Sequence, residues 1–398
     1  MSYERPPYSL FRQSIDFVHK KGVYPWLTRG EAEKDREIAH HRALEHMKRV
    51  QEHRILIEGM RALFTYNDPA VATRFLGQDI KNPLFFSAGI DKKGEVDEFL
   101  CDAQGFGGIV SGSFTEIPFE GNKPPRLFLL RPDLGFINRM KYPGDGTDPV
   151  IERWKKQKGP RGYMRLASLG ASTPSFIAGT AVEDALTAAR KLAPYSDGIE
   201  HNISTPNTPG QRAQQTPEFI REHAVEARKI REDTGKPFGY KLSPDLPRHQ
   251  LYILSETIAS EGADYISIAN TTTSEEVRSR LRSPNRGELG GISGEPLRRL
   301  ALEQAHIVYE ATEGKIEIKG GGGISEAEHM WEMMTWGGAN VVELLSGFVH
   351  PETSTPNFSW YKLQEFHAAM RVLGIRDMKE FHRDLRGQRV PYPRRRAA

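Results

Sequence analysis

Short apolar runs alternate with segments of helical periodicity along most of the chain. An alternation of strands with helices is typical of a parallel sheet. The eight runs are PLFFSAG (83–89), GGIVSG (107–112), YMRLASLG (163–170), DGIEHNIS (197–204), PFGYKL (237–242), DYISIAN (264–270), KIEIKG (315–320) and NVVELLS (340–346). Helical patterns lie between them at 180–192, 217–233, 247–261, 295–312 and 325–337. Eight repeats favour an α/β fold closed into a (β/α)8 TIM barrel, and an open doubly wound sheet is the alternative.

The region before the first run is helical in pattern. Apolar residues recur every three or four positions at Tyr8, Phe11, Ile15 and Val18, and Tyr24-Pro25-Trp26 interrupts the periodicity. A second helix is expected over about 31–52. The sequence thus predicts an N-terminal helical extension (1–66), a barrel (67–375) and a basic C-terminal tail (376–398).

The apolar N-terminal residues, with Lys20 and Lys21 among them, suit a helix that lies in a membrane interface. Docking of these residues on the barrel is the alternative. No run approaches the ~20 apolar residues needed to span a bilayer, and the N-terminus lacks the apolar core of a signal peptide. We therefore expect a soluble or peripheral protein.

The arginines at 394–396 are expected to form a solvated tail or to contact an anionic surface.

Composition narrows the function only slightly. The 398 residues are 38% hydrophobic and carry a net charge of +3, which does not indicate a nucleic-acid partner. The one cysteine, Cys101, excludes an intrachain disulfide and fits a reducing compartment. Histidines at 40, 41, 46 and 53 lack a cysteine or close carboxylate to complete a ligand set. We expect them to be solvated, and we expect no metal site.

Polar residues and glycines follow nearly every predicted strand, where a barrel places its active residues. Gly320–Gly323 precede a helical pattern, and backbone N–H groups at such a turn can bind a phosphate, with Ser346 nearby. Lys241 ends an apolar strand, where its charge can stabilise a developing anion or form an ion pair across the barrel mouth. Asn202 and Asn270 flank the same mouth and offer donors and acceptors to a substrate rich in carbonyl, N–H and carboxylate groups.

Several longer segments form a specific combined pattern over roughly residues 66–350. They are NPLFFSAGIDKKGE, GFGGIVSGSFTEIP, GNKPPRLF, INRM, NISTPNTPG, KLSPD, ANTTT, GGISGEPL, GGGGIS and LLSGF. In this order they resemble the dihydroorotate dehydrogenase family. The pieces DREIAHHRALE and NDPAVATRFLG before the first strand are similar to those of its class 2, quinone-dependent members.

The resemblance implies FMN as the cofactor and assigns residues to it. FMN contacts are expected at Ser87, Ala88, Gly89, Ser113, Ser168, Asn202, Lys241, Gly294, Gly323, Leu345 and Ser346. Substrate contacts are expected at Lys92, Asn138, Arg139, Asn202, Asn207, Asn270 and Thr271. The catalytic residues are expected to be Thr205, Thr208 and Lys241.

The reaction implied by the resemblance belongs to pyrimidine biosynthesis. A proton leaves C5 of dihydroorotate, a hydride passes from C6 to flavin N5, and a quinone that arrives through the N-terminal helices reoxidises the flavin. Thr205 stands where the family has a Ser or Cys base, and Thr208 matches its proton-relay threonine. Further departures from the pattern are Lys141-Tyr142-Pro143 for Gly-Phe-Asn, together with Ser168, Ala269 and Leu345.

These departures leave three functions open. The first is a class 2 dihydroorotate dehydrogenase. The second is an FMN barrel that acts on another cyclic imide or amide, and the third is a weakly catalytic flavin-binding relative. A peripheral location on the cytoplasmic side of a bacterial inner membrane, or on the mitochondrial inner membrane, is expected, with the cytoplasm as the alternative. Lys319 lies within a predicted apolar strand and has no assigned role.

Overall fold

Eight parallel strands close into a barrel in this computed structural model, which describes residues 2–3, 9–33, 35–157 and 161–395. The strands are β1 (Leu84–Phe86), β2 (Gly108–Phe114), β3 (Met164–Leu169), β4 (Gly198–Asn202), β5 (Phe238–Lys241), β6 (Tyr265–Ile268), β7 (Glu317–Gly321) and β8 (Val341–Leu344). Each strand pairs with the next along the chain, and β8 pairs with β1. The predicted (β/α)8 barrel is therefore confirmed, and all eight predicted runs supply its strands.

Four helices precede the barrel: α1 (Leu10–Val18), α2 (Tyr24–Thr28), α3 (Arg36–Gln51) and α4 (Arg54–Phe64). The predicted interruption at Tyr24-Pro25-Trp26 is wrong, because a π-helical turn (His19–Val23) joins α1 to α2 without a break. Pro25, which has no backbone N–H group to donate, lies in the first turn of α2, directly after this π-helical turn. Tyr8, part of the predicted periodicity, lies outside the described residues.

The N-terminal helices are fastened to the rest of the protein by polar contacts. Arg126 donates two hydrogen bonds to the Glu37 carboxylate on α3, at 2.7 and 2.8 Å. On α1, Arg12 donates to Asn357 at 2.7 Å, and Asp16 accepts from Tyr361 at 2.6 Å. Charged, partly buried pairs of this geometry fix orientation, so α1 and α3 are held at a defined angle over the barrel.

The barrel helices surround the strands in chain order. They are α5 (Thr147–Lys155), α6 (Thr173–Ala178), α7 (Ala181–Leu192), α8 (Pro217–Thr234), α9 (Arg248–Ser260), α10 (Glu275–Ser279), α11 (Arg298–Ala311), α12 (Ala327–Met334), α13 (Ser346–Val349), α14 (Phe358–Val372) and α15 (Met378–Leu385). The five helical patterns found in the sequence coincide with α7, α8, α9, α11 and α12. Buried leucine, isoleucine and alanine side chains of these helices pack on the outside of the strands.

A small antiparallel sheet, called here the lid sheet, covers the C-terminal ends of the strands. Its strands are Leu127–Leu130, Gly135–Asn138 and Gly291–Gly294. They come from two long connections of the chain, 116–162 and 271–294. At the opposite end, a hairpin of Thr73–Phe75 and Gln78–Ile80 closes the barrel. There the Phe75 ring meets Phe85 and Tyr265, with centroids 5.8 and 5.9 Å apart.

The chain after residue 376, predicted as a basic tail, includes α15, whose Met378 and Phe381 are buried. Trp331 Nε1 donates a hydrogen bond of 2.8 Å to the backbone oxygen of Val390. Arg394–Arg395 pair with Ser2–Tyr3 as two short parallel strands, and residue 396 lies outside the described part of the chain. The division into 1–66, 67–375 and 376–398 stays a prediction.

Candidate active site

One large cavity, with a volume of about 750 Å³, lies at the C-terminal ends of the strands. The barrel mouth, the lid sheet and the helices α1–α3 all contribute walls to it. Sixteen of the residues expected to act on cofactor or substrate line this one space: Ser87, Ala88, Gly89, Lys92, Ser113, Asn138, Asn202, Thr205, Asn207, Lys241, Asn270, Thr271, Gly294, Gly323, Leu345 and Ser346. The structure thus brings together residues that are up to 259 positions apart in the sequence.

Asn202, the last residue of β4, is the centre of a polar cluster in the barrel mouth. Its Nδ2 atom donates to the Ser113 hydroxyl at 3.0 Å, and that hydroxyl shares a hydrogen bond of 2.8 Å with Ser168. Its Oδ1 atom accepts from Asn270 Nδ2 at 3.1 Å and from the Ser204 hydroxyl at 2.9 Å. Because each amide is held by two or more partners, the cluster presents donors and acceptors in fixed directions.

The loop after β4 carries the candidate base. Thr205 is buried, and its Oγ1 atom accepts a hydrogen bond of 3.4 Å from the backbone N–H of Asn207. The Tyr142 phenol lies beside it and donates a hydrogen bond of 3.4 Å to the backbone oxygen of Asn202. Burial raises the pKa of Tyr142, and a hydrogen bond with Thr205 opposes that shift only in part. Tyr142 therefore stays protonated near neutral pH and acts as a donor.

Three predicted residues lie behind the cavity wall or away from it. Ser168 is fully buried and does not line the cavity, but its hydroxyl shares a hydrogen bond with the Ser113 hydroxyl, which does. Thr208 is buried, and its Oγ1 atom makes no hydrogen bond to any residue the structure describes. Arg139 points outward: it donates to the backbone oxygen of Pro125 at 2.9 Å and pairs with Glu288 at 3.1 Å. The expected substrate contact of Arg139 is therefore not supported by its placement.

Lys92 enters the cavity below α3. Its ammonium donates a hydrogen bond of 2.6 Å to the backbone oxygen of Gly89. Burial lowers the pKa of Lys92 to about 8, although the Glu37 carboxylate opposes the shift. Near neutral pH this amine is mostly cationic, so it can attract a substrate carboxylate and can also give up a proton at little cost.

The glycine-rich turn after β7 forms the far wall. Gly322 and Gly323 adopt φ angles of +110° and +73°, and a Cβ atom on Gly323 would come within 2.6 Å of Arg298. Only glycine fits this close approach to α11. Opposite the turn, the hydroxyls of Ser293 and Ser346 share a hydrogen bond of 2.9 Å. A turn of this kind with two hydroxyls beside it offers the donors that a phosphate group needs.

The floor of the cavity contains an ion pair, of which the sequence predicted the lysine but not its carboxylate partner. Lys241 Nζ donates a hydrogen bond of 2.7 Å to Glu343 Oε1, and both side chains are almost fully buried. The bond is an ion pair across the barrel mouth, as one of the two sequence alternatives for Lys241 supposed. An available signal was the pair of charged residues, Lys319 and Glu343, at interior positions of β7 and β8.

The outer half of the cavity is formed by the N-terminal helices, and more than half of the residues that line it there are apolar. Its lining residues there include Phe11, Ile15, Val18, Leu27, Ala39, Ala43, Leu44 and Met47. His40 also faces this space, so the expectation that it is a solvated surface residue is wrong. Burial, with smaller contributions from Lys92 and His41, lowers the pKa of His40 well below its usual value.

Among the residues that the structure describes, no group of three or more His, Cys, Asp or Glu side chains could hold a metal ion. Among the same residues, none of the helices combines the length and the apolar character needed to cross a bilayer.

Comparison with known proteins gives concordant matches. The family model for dihydroorotate dehydrogenase matches residues 70–357. A dihydroorotate dehydrogenase (quinone) of Thermus thermophilus is 33% identical over 351 residues, which are 88% of this chain and 97% of that protein. The protein of the same name from Erythrobacter litoralis is 33% identical over 302 residues, 75% of this chain and 85% of that one.

A solved structure supports the fold. The crystal structure of DHODH in complex with ferulenol from Eimeria tenella aligns with a TM-score of 0.77 at 23% identity, covering 92% of this chain and 98% of that one. The family match spans most of the barrel, and the two curated relatives extend it over three quarters of the chain or more. The chain belongs to the dihydroorotate dehydrogenase family, and within it the chain resembles the quinone-dependent class 2 members.

Proposed function

We propose that the protein oxidises dihydroorotate to orotate with bound FMN and passes the electrons to a quinone. The observation that carries the proposal is the continuous cavity, which runs from the polar barrel mouth to the apolar faces of α1 and α3. A polar substrate requires polar binding groups and an apolar electron acceptor requires an apolar surface, and both must reach the same cofactor. The relatives named dihydroorotate dehydrogenase (quinone) support the same pair of reactants.

The residues present fit FMN. The Gly322–Gly323 turn with Ser293 and Ser346 supplies donors for its phosphate, and Lys241 lies on the cavity floor. A volume of about 750 Å³ is large enough to hold a ligand of this size with space beside it. When bound, FMN would accept the hydride that leaves C6 of the substrate.

The polar cluster binds and orients the substrate. The side-chain amides of Asn202, Asn207 and Asn270 face one space and offer both donors and acceptors, which match a ring with carbonyl and N–H groups. The Lys92 ammonium attracts the substrate carboxylate from the side of α3. Each of these groups is held by contacts with its neighbours, so little reorganisation is needed when substrate binds.

Thr205 receives the proton from C5 at its Oγ1 atom. A hydroxyl acts as a base only if its own proton moves on at the same time. The Thr208 hydroxyl, on the same loop and without a hydrogen bond among the described residues, provides a route for that proton. Tyr142 lines the pocket and donates a hydrogen bond to the backbone oxygen of Asn202, on the same side as Thr205.

The flavin test is direct. The purified protein should be yellow, and anaerobic addition of dihydroorotate should bleach the flavin absorbance. Addition of a soluble ubiquinone analogue should then restore the absorbance without oxygen. A protein whose flavin stays oxidised in dihydroorotate, but bleaches with dithionite, does not carry out the proposed reaction.

We also propose that the quinone is taken from a membrane surface through α1. Polar residues of α1 dock on the protein, while Leu10, Phe17 and Val18 are 82%, 65% and 61% exposed. Phe11 and Val18 line the cavity, so the exposed apolar face continues into it. An amphipathic helix with lysines beside its apolar face binds anionic lipid surfaces.

Flotation with vesicles of anionic phospholipid tests this surface. The double variant Leu10→Asp with Phe17→Asp should float several-fold less than the wild type. Ile177→Asp is the matched control, because Ile177 is 83% exposed on α6, on the barrel. Equal flotation of all three proteins would rule out membrane contact by α1.

A second candidate function is oxidation of another cyclic imide or amide. Tyr142 favours it, because this bulky, hydroxyl-bearing side chain fills space beside Thr205 where the substrate ring would lie. A screen of cyclic imides and amides by anaerobic flavin bleaching separates the two functions. Faster bleaching by any of them than by dihydroorotate would favour this second candidate.

A further inference from the structure

Four charged side chains form a connected chain inside the barrel, below the floor of the cavity. Lys241 bonds to one oxygen of Glu343 at 2.7 Å, and Lys319 bonds to the other. Lys319 also lies 3.0 Å from Glu200 Oε2 and donates to the Ser267 hydroxyl at 2.7 Å. Because two cations alternate with two carboxylates, the formal charge of this quartet is zero.

Barrel closure builds the quartet from four strands. Glu200 comes from β4, Lys241 from β5, Lys319 from β7 and Glu343 from β8. Lys241 and Glu343 line the cavity, whereas Lys319 and Glu200 lie beneath them with no exposed surface. Only one end of the alternating chain therefore faces the space proposed for FMN.

Stability alone does not account for the quartet. The interior of such a barrel is normally filled by branched apolar side chains, and apolar residues in place of buried ion pairs are often no less stable. The Oε1 atom of Glu200 meets no hydrogen-bond donor among the residues that the structure describes. A network built only to stabilise the fold is expected to satisfy its buried oxygens more completely.

The two groups at the cavity floor are ionised. Burial tends to lower the pKa of Lys241, but the carboxylates of Glu343 and Glu200 outweigh it, so that its pKa is raised. Burial tends to raise the pKa of Glu343, but Lys241 and Lys319 outweigh it, so that its pKa is lowered. The floor is thus an ion pair, and the charge of Glu343 is shared between two lysines.

We propose that Lys319 and Glu200 act as positioning residues that set the reduction potential of the bound flavin through Lys241. Lys319 neutralises Glu343 from below and leaves Lys241 as the effective charge beneath FMN, while Glu200 partly offsets the charge of Lys319. The inference rests on the proposed function, because it requires FMN in this cavity. Transfer of a hydride adds two electrons and one proton, so reduction leaves one additional negative charge on the flavin. Removal of a buried cation near the flavin should oppose reduction, and removal of a carboxylate should favour it.

The test measures the reduction potential of FMN in the holoenzyme. A separate reducing enzyme system supplies electrons in the absence of dihydroorotate, and the flavin equilibrates with a reference dye of known potential. At the wild-type midpoint potential, Lys319→Met should lower the ratio of reduced to oxidised FMN roughly tenfold, and Glu343→Gln should raise it by a similar factor. The double variant Lys319→Met with Glu200→Gln restores a neutral cluster, so its ratio should return close to the wild-type value. Glu200→Gln alone should raise the ratio, by less than Glu343→Gln does.

A purely structural role predicts a different outcome. It would lower the thermal stability of every variant and move the flavin ratio in no consistent direction. Shifts of the same sign in Lys319→Met and Glu343→Gln, or no shift in either, would overturn the proposal. If Lys319→Met does not fold or retain FMN, the two carboxylate variants decide, because both must raise the ratio.

The design separates this proposal from the proposed function. Since dihydroorotate is absent, the potentials are measured whether or not the protein oxidises it. If the variants have unchanged flavin potentials while dihydroorotate still bleaches the wild-type flavin, the proposed role of the quartet is overturned and the proposed function stands. A wild-type protein that takes up no FMN would contradict both proposals.

Discussion

The side-chain amide of Asn207 donates a hydrogen bond of 3.2 Å to Oδ1 of Asn138. This bond ties the loop that carries Thr205 to the lid sheet, since Asn138 ends the strand Gly135–Asn138. The backbone N–H of Asn207 also donates to Thr205 Oγ1 at 3.4 Å. The position of the candidate base therefore depends on a sheet that comes from distant parts of the sequence.

Asn207→Ala should lower kcat/KM for dihydroorotate about 10- to 100-fold, because it removes a substrate-orienting amide and the bond to the lid sheet. Asn285→Ala is the matched control. Asn285 donates a bond of 2.9 Å to the backbone oxygen of Leu129, on another strand of the lid sheet, and it does not line the cavity. Steady-state kinetics with a quinone analogue measure both. Equal losses in the two variants would show that only the stability of the lid sheet matters.

Thr205→Val should slow flavin reduction by dihydroorotate about 10²- to 10⁴-fold, the usual contribution of a general base. Valine keeps the shape of threonine and removes the hydroxyl. Thr205→Ser keeps the hydroxyl and removes a methyl group, so it should retain or exceed the wild-type rate. Stopped-flow absorbance of the flavin under anaerobic conditions gives these rates. A Thr205→Val protein that reduces at the wild-type rate would assign the base to another group.

Gly323→Ala should abolish FMN retention. The new Cβ atom would lie 2.6 Å from Arg298 Cβ and 2.9 Å from the backbone oxygen of Gly294, which lines the same cavity. Gly179→Ala is the control, because Gly179 has a similar φ of +77° and open space around it. Both variants should lose about 1–2 kcal/mol from the left-handed backbone, but only Gly323→Ala should purify without flavin. Flavin absorbance per protein after gel filtration tells the two apart.

The stability of the fold should fall as the pH drops from about 6.5 towards 4, in part through His201. Burial lowers the pKa of His201 to about 4, whereas an unfolded histidine titrates near 6.5. Within that window the unfolded state binds a proton that the folded state excludes, so the contribution is complete above pH 6.5 and decreases on acidification. The full effect is about 3 kcal/mol.

Chemical denaturation at several pH values measures this dependence. His201→Gln should show a shallower fall of the unfolding free energy between about pH 6.5 and 4 than the wild type. His249→Gln, at an exposed position on α9, is the matched control for the loss of one histidine. An identical slope in all three proteins would show that His201 does not contribute to acid sensitivity.

Much of the fold and part of the site follow from the sequence. The eight strands are local patterns of apolar residues, and Ser113, Asn202, Lys241 and Ser346 stand at or next to the ends of those strands. Strand ends in a parallel barrel must meet on one face, so the sequence alone predicts that these residues lie together. The substrate contact of Arg139 stays a prediction that its outward placement does not support, because sequence neighbours of a strand end can point to either side of the backbone.

Only the tertiary structure determines which charged side chains pair and which elements line the cavity together. The sequence assigns no role to Lys319, because its partners Glu200 and Glu343 lie on other strands. The register of the closed barrel brings the three side chains together. The sequence also could not show that α1 and α3 extend the cavity, because their docking depends on contacts such as Glu37 with Arg126, 89 positions apart. Local periodicity determines the elements, whereas long-range packing determines the neighbours of each side chain.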